Sequence, residues 1–343
     1  MIPSTILGLD IGGANLKAAT VSRQARSVPF PLWKQPEQLP AALAQLIASF
    51  PRAETFAITM TGELCDCFLT KRDGVATILA AVEAVAAGRP VGVWSTDGLF
   101  LTPGAAKQQP WKVAAANWHA LARFVGRFAP HAGGLLLDIG STTSDIIPLH
   151  HGLPASSGTT DWERLQRREL VYVGVRRTPI CAIWTDHICA ELFATTQDIY
   201  TILGLLPEEP DNRDTADGRP LTTAYALARL ARMLGADREQ LTDEHLRDFA
   251  VRVHTRLLHQ LVEAARHVYY DPPGRPELKT VIIAGAGEFL ARRVVEEAFP
   301  AVPPAAIVSL QQEWGATVSA CAPAYAVAVL AAEQHRVAEA TVR

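Results

Sequence analysis

Cysteine is scarce and odd in number: Cys65, Cys67, Cys181, Cys189 and Cys321 are the five in 343 residues. A long chain with an unpaired thiol is not expected to rest on a disulfide framework. Cys65-Asp66-Cys67 has no second Cys pair and no His pair at zinc spacing, which favours packed or reactive thiols over a zinc centre. An excess of one charge is missing too. The formal net charge is -3, so no basic face is implied and nucleic acid is not expected as the main ligand. The one basic run, RLQRRELVYVGVRR (164–177), fits a solvated face as well as an anion site. No apolar stretch nears the ~20 residues of a membrane span. The opening MIPSTILGLDIGG has neither a basic start nor a long apolar run before a cleavage site, so no secretory leader is expected and a soluble, cytoplasmic protein is. No short-period repeat is found, and the oligomeric state is left open.

Hydrophobic residues make up 49% of the chain, ample for a packed core, and the length exceeds one average domain. Apolar runs predict strands over 5–10, 17–21 and 55–60, at PVGVW, and over 135–138. Helices are expected near 39–49, 73–87 and 112–128, completing a first α/β unit over 1–130. A second unit, 131–322, carries strands at DIIPL, ELVYVGV and 280–287. Its helices are expected near 184–193, 221–233, 243–268 and 288–298. An Ala-rich helix over 323–343 closes the chain, expected to pack back on the first unit. The polar segment PEEPDNRDTADGRP (207–220) reads as a long loop, a common place for function.

One device occurs twice. ILGLDIGGANLKAATV and GLLLDIGSTTSDIIPL each run an apolar strand into Asp-x-Gly and a small polar turn, with Asp10 and Asp138 128 positions apart. Such a strand sets a carboxylate at the mouth of a cleft, and its glycine lets a phosphate reach the backbone. The following N–H groups form an anion-binding nest. In the first copy these belong to Gly12, Gly13, Ala14 and Asn15, with Lys17 in reach. In the second they belong to Gly140, Ser141, Thr142, Thr143 and Ser144, which add hydroxyls. If two similar units face each other, Asp10 and Asp138 can share a hydrated Mg2+. A third strand, VIIAGAGEFL, ends in Gly285 and Gly287 and opens a helix, suited to a further phosphate contact. One strand–Asp-x-Gly turn is usually only a turn; two, followed by a Gly-x-Gly strand, are far more specific.

These motifs resemble the actin-like ATPase (ribonuclease H-like) superfamily of sugar kinases, Hsp70 and actin. GLDIGGANLKAA resembles its first phosphate motif, LLLDIGSTTSDIIPL its second and VIIAGAGEFLARRVVE its adenosine motif. MTGELCDCF, ELVYVGVRRTPICA and DNRDTADGRP resemble the hydantoinase/oxoprolinase-related branch, and within it the methanofuran-biosynthesis transferases of tetrahydromethanopterin-linked one-carbon metabolism. The resemblance implies a two-domain α/β fold with an interdomain cleft. It also implies a transferase that joins an aminomethylfuran-methyl diphosphate to the phenol of a tyramine- or tyrosine-type acceptor and releases pyrophosphate.

For that chemistry Glu63 is the first candidate base and Asp145 the second, each equally open to a structural role. Arg176 and Arg177 suit a carboxylate or diphosphate, or a surface pair. Asp211, Asp214 and Asp217 read first as a solvated acidic loop, and Trp118 as core. ATP users of this fold usually carry Ser or Thr where Asn15 stands, and small residues where Glu288 follows Gly287. Both departures rank ATP behind another diphosphate. An ATP-dependent kinase or amidohydrolase, and a non-catalytic nucleotide-binding protein, are the alternatives. All three readings take a small phosphorylated ligand and need no membrane.

Overall fold

The computed structural model describes residues 5–341, with the backbone alone over 338–341. Residues 1–4, part of the stretch read above for a leader, and 342–343 lie outside the described residues.

Strand β1 (Ile6–Ile11) is buried at every position, as expected where both faces of a strand are covered. It pairs antiparallel with β2 (Asn15–Thr20), which pairs with β3 (Ala25–Pro29). On its other side β1 runs parallel to β4 (Thr55–Met60), which runs parallel to β5 (Val91–Trp94); the short β6 (Phe100–Leu101) closes the edge. The second sheet repeats this plan. Strand β7 (Gly133–Ile139) pairs antiparallel with β8 (Ser144–His150), which holds β9 (Leu153–Pro154) and β10 (Leu170–Val171). On the other side β7 runs parallel to β11 (Leu278–Ala284), and β11 to β12 (Ile307–Ser309). The orders are β3-β2-β1-β4-β5-β6 and β10-β8-β7-β11-β12. Two sheets, each led by a central hairpin with parallel strands beyond it, form the duplicated actin-like ATPase arrangement.

Side chains alternate faces along a strand. On one face of β1, Leu7, Leu9 and Ile11 pack with Leu43, Ile78 and Leu79 of helices Leu39–Ala48 and Lys71–Ala86. On the other, Ile6 packs with Val327 and Ala328 of the helix Ala322–Thr341. At Gly8 that helix comes so near that a Cβ would lie 1.9 Å from the Ala324 carbonyl oxygen, so only glycine fits. Leu136 of β7 joins Leu121 of helix Asn117–Val125 and Ala322 in the same middle layer. Asp10 shares the face of Ile6 and Gly8, and Asp138 the face of Leu136. Strand alternation therefore turns both carboxylates towards the layer the two sheets share.

Several elements differ from the sequence expectation. Residues 184–193 are not helical: His187 takes a left-handed φ of 57°, and Trp184, Ile188 and Phe193 pack on the core from irregular backbone. The expected helix 112–128 is broken into Pro110–Val113 and Asn117–Val125, with Ala115 at φ 48° between them. Helices Asp161–Gln166 and Thr196–Ile202, and strand β3, were not anticipated. The strand expected through ELVYVGV stops after Val171, because the chain leaves the sheet to wrap the second Asp-x-Gly turn. The helix Asp243–Tyr270 does form, with Phe249, Val253, Leu257, Leu261 and Ala265 buried.

Candidate active site

The two Asp-x-Gly turns close in the same way. The N–H of Gly12 donates to the carbonyl of Asn15 at 3.0 Å, and that of Gly140 to the carbonyl of Thr143 at 2.8 Å. Each hairpin thereby leaves its middle residues free: among the described residues, the N–H groups of Gly13, Ala14, Ser141 and Thr142 have no protein acceptor. Free, adjacent N–H groups at a turn are what an anion needs.

Each turn is gripped by a second segment. The N–H of Leu32 donates to the Gly13 carbonyl and that of Phe30 to the Ala14 carbonyl, both at 2.9 Å. On the other turn, Val175 donates to the Gly140 carbonyl at 3.0 Å, while Arg176 and Arg177 donate to the Ser141 carbonyl at 3.0 and 2.9 Å. Gly174 makes that approach possible, since a Cβ there would lie 2.5 Å from Ser141 C and Thr142 N.

Asp10 is 3% exposed and sits opposite Lys17 in the β1–β2 ladder, 3.8 Å from its ammonium. Burial raises its pKa, Lys17 lowers it, and its Oδ1 has no partner. Asp138 holds the equivalent ladder position, but Asp145 faces it instead of a lysine. Burial first, and Asp145 second, push Asp138 up to about 7; the charges of Lys17, Asp10 and Glu288 also act on it. Lys17 and Asp10 belong to the other sheet, so the two turns come within electrostatic reach of each other. Asp145 accepts from the buried Arg164 at 2.7 Å, and Arg164 lies over the Trp118 ring at 4.1 Å. That ion pair commits Asp145 to structure, and Trp118 is core at 4% exposure.

Glu63 is 1% exposed, and neither of its carboxylate oxygens has a well-formed hydrogen bond. It follows Gly62, where a Cβ would lie 2.7 Å from a Leu32 methyl and 3.2 Å from the Ile11 carbonyl oxygen. The helix Lys71–Ala86 crosses its backbone so closely that a Cβ at Gly74 would lie 2.4 Å from the Glu63 carbonyl oxygen. Burial drives the Glu63 pKa up to about 7. The N–H groups of Glu63 and Ala115 and the Lys71 ammonium pull it down, and Asp161 pushes it up. Thr59, in register with Asp10 on β4, is a further buried side chain with an unpartnered oxygen. Unsatisfied buried oxygens are costly, and these cluster at the carboxyl ends of β1 and β4.

The remaining sequence candidates divide. Gly285, at φ 86°, packs on Asp138 and Ile139, where a Cβ would meet the Asp138 Oδ1 at 2.5 Å. Gly287 donates to the Ile139 carbonyl at 2.8 Å. Glu288 accepts from Gln311 N at 2.8 Å and from the Ser309 and Ser319 hydroxyls, which draws its carboxylate towards β12. Arg176 forks onto Glu209 at 2.6 and 3.2 Å, whereas Arg177 makes no ion pair among the described residues and lies 5.0 Å from the Trp33 ring centroid. Asp217 staples the long loop to Arg229 and Arg232; Asp214 is tied back through its carbonyl to Gln197, and Asp211 has no side-chain partner among the described residues. Burial raises the Cys65 thiol to about 11 and also raises that of Cys67, so neither is a ready thiolate. Thr59, Trp33, Tyr172 and the cross-sheet pair Lys71–Asp161 (3.0 Å) escaped sequence reading. No motif links positions so far apart.

Among the described residues no group of three His, Cys, Asp or Glu is poised for a metal, and no helix is long and apolar enough to cross a membrane.

A family profile described as hydantoinase/oxoprolinase matches residues 54–183, the stretch with Glu63, the second turn and Arg177. In the solved structures the fold is shared with nucleotide-free acetone carboxylase, at TM-score 0.53 and 10% identity over 95% of this chain and 70% of that one. The (4-{4-[2-(gamma-L-glutamylamino)ethyl]phenoxymethyl}furan-2-yl)methanamine synthase of Methanocaldococcus jannaschii is 36% identical over 341 residues, 96% of this chain and 98% of that protein. The synthase of the same name from Methanococcus vannielii is 31% identical over 204 residues, 57% of this chain and 89% of that protein. With near full-length identity at that level, the chain belongs to the (4-{4-[2-(gamma-L-glutamylamino)ethyl]phenoxymethyl}furan-2-yl)methanamine synthase family.

Proposed function

We propose that this protein is a transferase that joins an aminomethylfuran-methyl diphosphate to the phenol of a tyramine-type acceptor, forming an aryl ether and releasing pyrophosphate. The relatives' name contains that phenoxymethyl–furan link. The observation that carries the reading is the pair of matched turns, each with free N–H groups beside an aspartate, Asp10 buried and Asp138 half-buried. Together they suit the two ends of a diphosphate.

The N–H groups of Gly13, Ala14, Ser141 and Thr142, the Ser141 and Thr142 hydroxyls and the Lys17 ammonium would take the diphosphate oxygens. Preorganised donors of this kind stabilise charge as it grows on a leaving group. Glu63, buried and poised near neutrality, would take the phenol proton, which otherwise leaves only near pH ~10. The paired carboxylates suit Mg2+, which takes one or two carboxylates and keeps water and phosphate oxygens as its other ligands. The unpartnered Asp10 Oδ1 agrees with that need. Held by Asp10 and Asp138, Mg2+ would neutralise charge on the leaving diphosphate.

The test incubates the protein with Mg2+, the furan diphosphate and a tyramine acceptor, and in parallel with ATP. Pyrophosphate release that requires both substrates is expected. ADP formation without it would replace this reading with an ATP-dependent one. Asp10→Ala and Asp138→Ala should each reduce turnover to background; full activity in both would remove the metal role.

A further inference from the structure

Two side chains that meet beside the two turns have no place in the scheme so far. Trp33 follows Leu32, whose N–H is bonded to the first turn at Gly13; Arg177 is bonded through its own N–H to the second turn at Ser141. One residue is thus anchored to each phosphate nest, and their side chains meet with the guanidinium 5.0 Å from the indole centroid. Arg177 is exposed and makes no ion pair among the described residues, unlike its neighbour Arg176, which is held by Glu209. Its charge nevertheless acts on Cys65 and Tyr172, which places it near the Cys65 end of the first turn. Cys65 Sγ would lie 2.6 Å from a Cβ at Gly13.

We propose that Trp33 is the aromatic platform for the donor's furan ring, and that Arg177 leaves its face for the diphosphate when the donor binds. The inference rests on the transferase reading above. An exposed cation–π contact is weak, whereas a guanidinium fork on phosphate oxygens is charge-assisted and bidentate. A diphosphate in the two nests therefore wins the guanidinium. The vacated indole face, which already attracts a cation, is left beside the reacting carbon. In the reaction the methylene C–O bond breaks and its electron pair leaves on the diphosphate. The electron-rich furan spreads the resulting positive charge over its ring, which the indole face stabilises. The phenol oxygen then bonds to the methylene carbon and its proton passes to Glu63.

Inorganic pyrophosphate with Mg2+ tests the displacement by intrinsic fluorescence. The chain has 7 tryptophans, so the assignment rests on variants. A change in emission is expected in the wild type and should be absent in Trp33→Phe, although calorimetry still detects binding there. Arg177→Gln should bind pyrophosphate roughly tenfold or more weakly. An undiminished response in Trp33→Phe, or unaltered affinity in Arg177→Gln, overturns the displacement. The platform is tested by turnover. Trp33→Leu should lower kcat by about 3- to 30-fold with acceptor KM unchanged, and wild-type kcat in Trp33→Leu overturns it. Should that variant fail to fold, kcat of Trp33→Met decides the platform, with the same expected loss, and the Trp33→Phe fluorescence arm decides the displacement. A wild-type protein that releases no pyrophosphate from the donor defeats the transferase reading itself, whereas normal release with an unaffected Trp33→Leu defeats this inference alone.

Discussion

Glu63 combines three properties that seldom coincide: it is buried, its carboxylate oxygens lack a well-formed hydrogen bond, and it is held near neutrality. Folded, it keeps its proton up to about 7; unfolded, it releases it near 4.5. Between those values the folded state binds more protons, so this group's contribution to stability is full below the unfolded pKa and is lost as pH rises through the folded one. Urea unfolding at about pH 4 and about pH 8 should show the wild type losing on the order of 3 kcal/mol more than Glu63→Gln over that interval. Lys71 and Asp161 are the charges facing this carboxylate, and their opposed effects leave burial dominant. The same variant should lose roughly 100-fold or more in turnover, together with the rising limb of the pH–rate profile near 7. An unchanged profile would assign the proton to another group. Glu63 stood out in the sequence only as a carboxylate at a strand end; its isolation from solvent comes with helix Lys71–Ala86 packed across its backbone.

At the scale of elements, the two hairpins differ in what faces the aspartate. Lys17 answers Asp10, whereas Asp145 answers Asp138 and is itself answered by Arg164. Arg164→Leu leaves Asp145, whose side chain is 14% exposed, without its partner and should destabilise by about 2–4 kcal/mol, measured by urea unfolding at neutral pH. The segment that wraps the second turn depends on Gly174. Gly174→Ala presses a methyl onto the backbone of Ser141 and Thr142 and should cost about 1–3 kcal/mol. Pyrophosphate affinity should fall with it, because the turn must shift. The strands β1, β4 and β7 were legible from unbroken apolar runs, and the helix Asp243–Tyr270 from four-residue spacing. Residues 172–175 look like the continuation of a strand but are drawn away by hydrogen bonds to the Gly140 turn. Local propensity carries no record of that competition.

At the scale of the whole molecule, the sheets are joined by a shared helical layer and by Lys71–Asp161, a 3.0 Å pair between helix starts on the two sides. Each side chain is one-fifth exposed, so the coupling is modest. A double-mutant cycle with Lys71→Ala and Asp161→Ala should return about 0.5–1 kcal/mol. A ligand that touches both nests should stabilise the folded chain as one unit. Pyrophosphate with Mg2+ at about 100 times its Kd should add ~2.7 kcal/mol, read as a rise in Tm that disappears in Asp10→Ala.

The amino-acid sequence by itself determined the paired strands, the carboxylate that ends each one and the glycines that open each turn, because these follow from runs of neighbouring residues and from alternation along one strand. Which side chains meet was decided only by the tertiary structure. Trp33 and Arg177, Lys71 and Asp161, and Arg164 and Asp145 are set together by the packing of helices and loops across two sheets. The raised pKa of Glu63 belongs to that same level, since desolvation depends on everything packed around a group and not on the residues beside it in the chain.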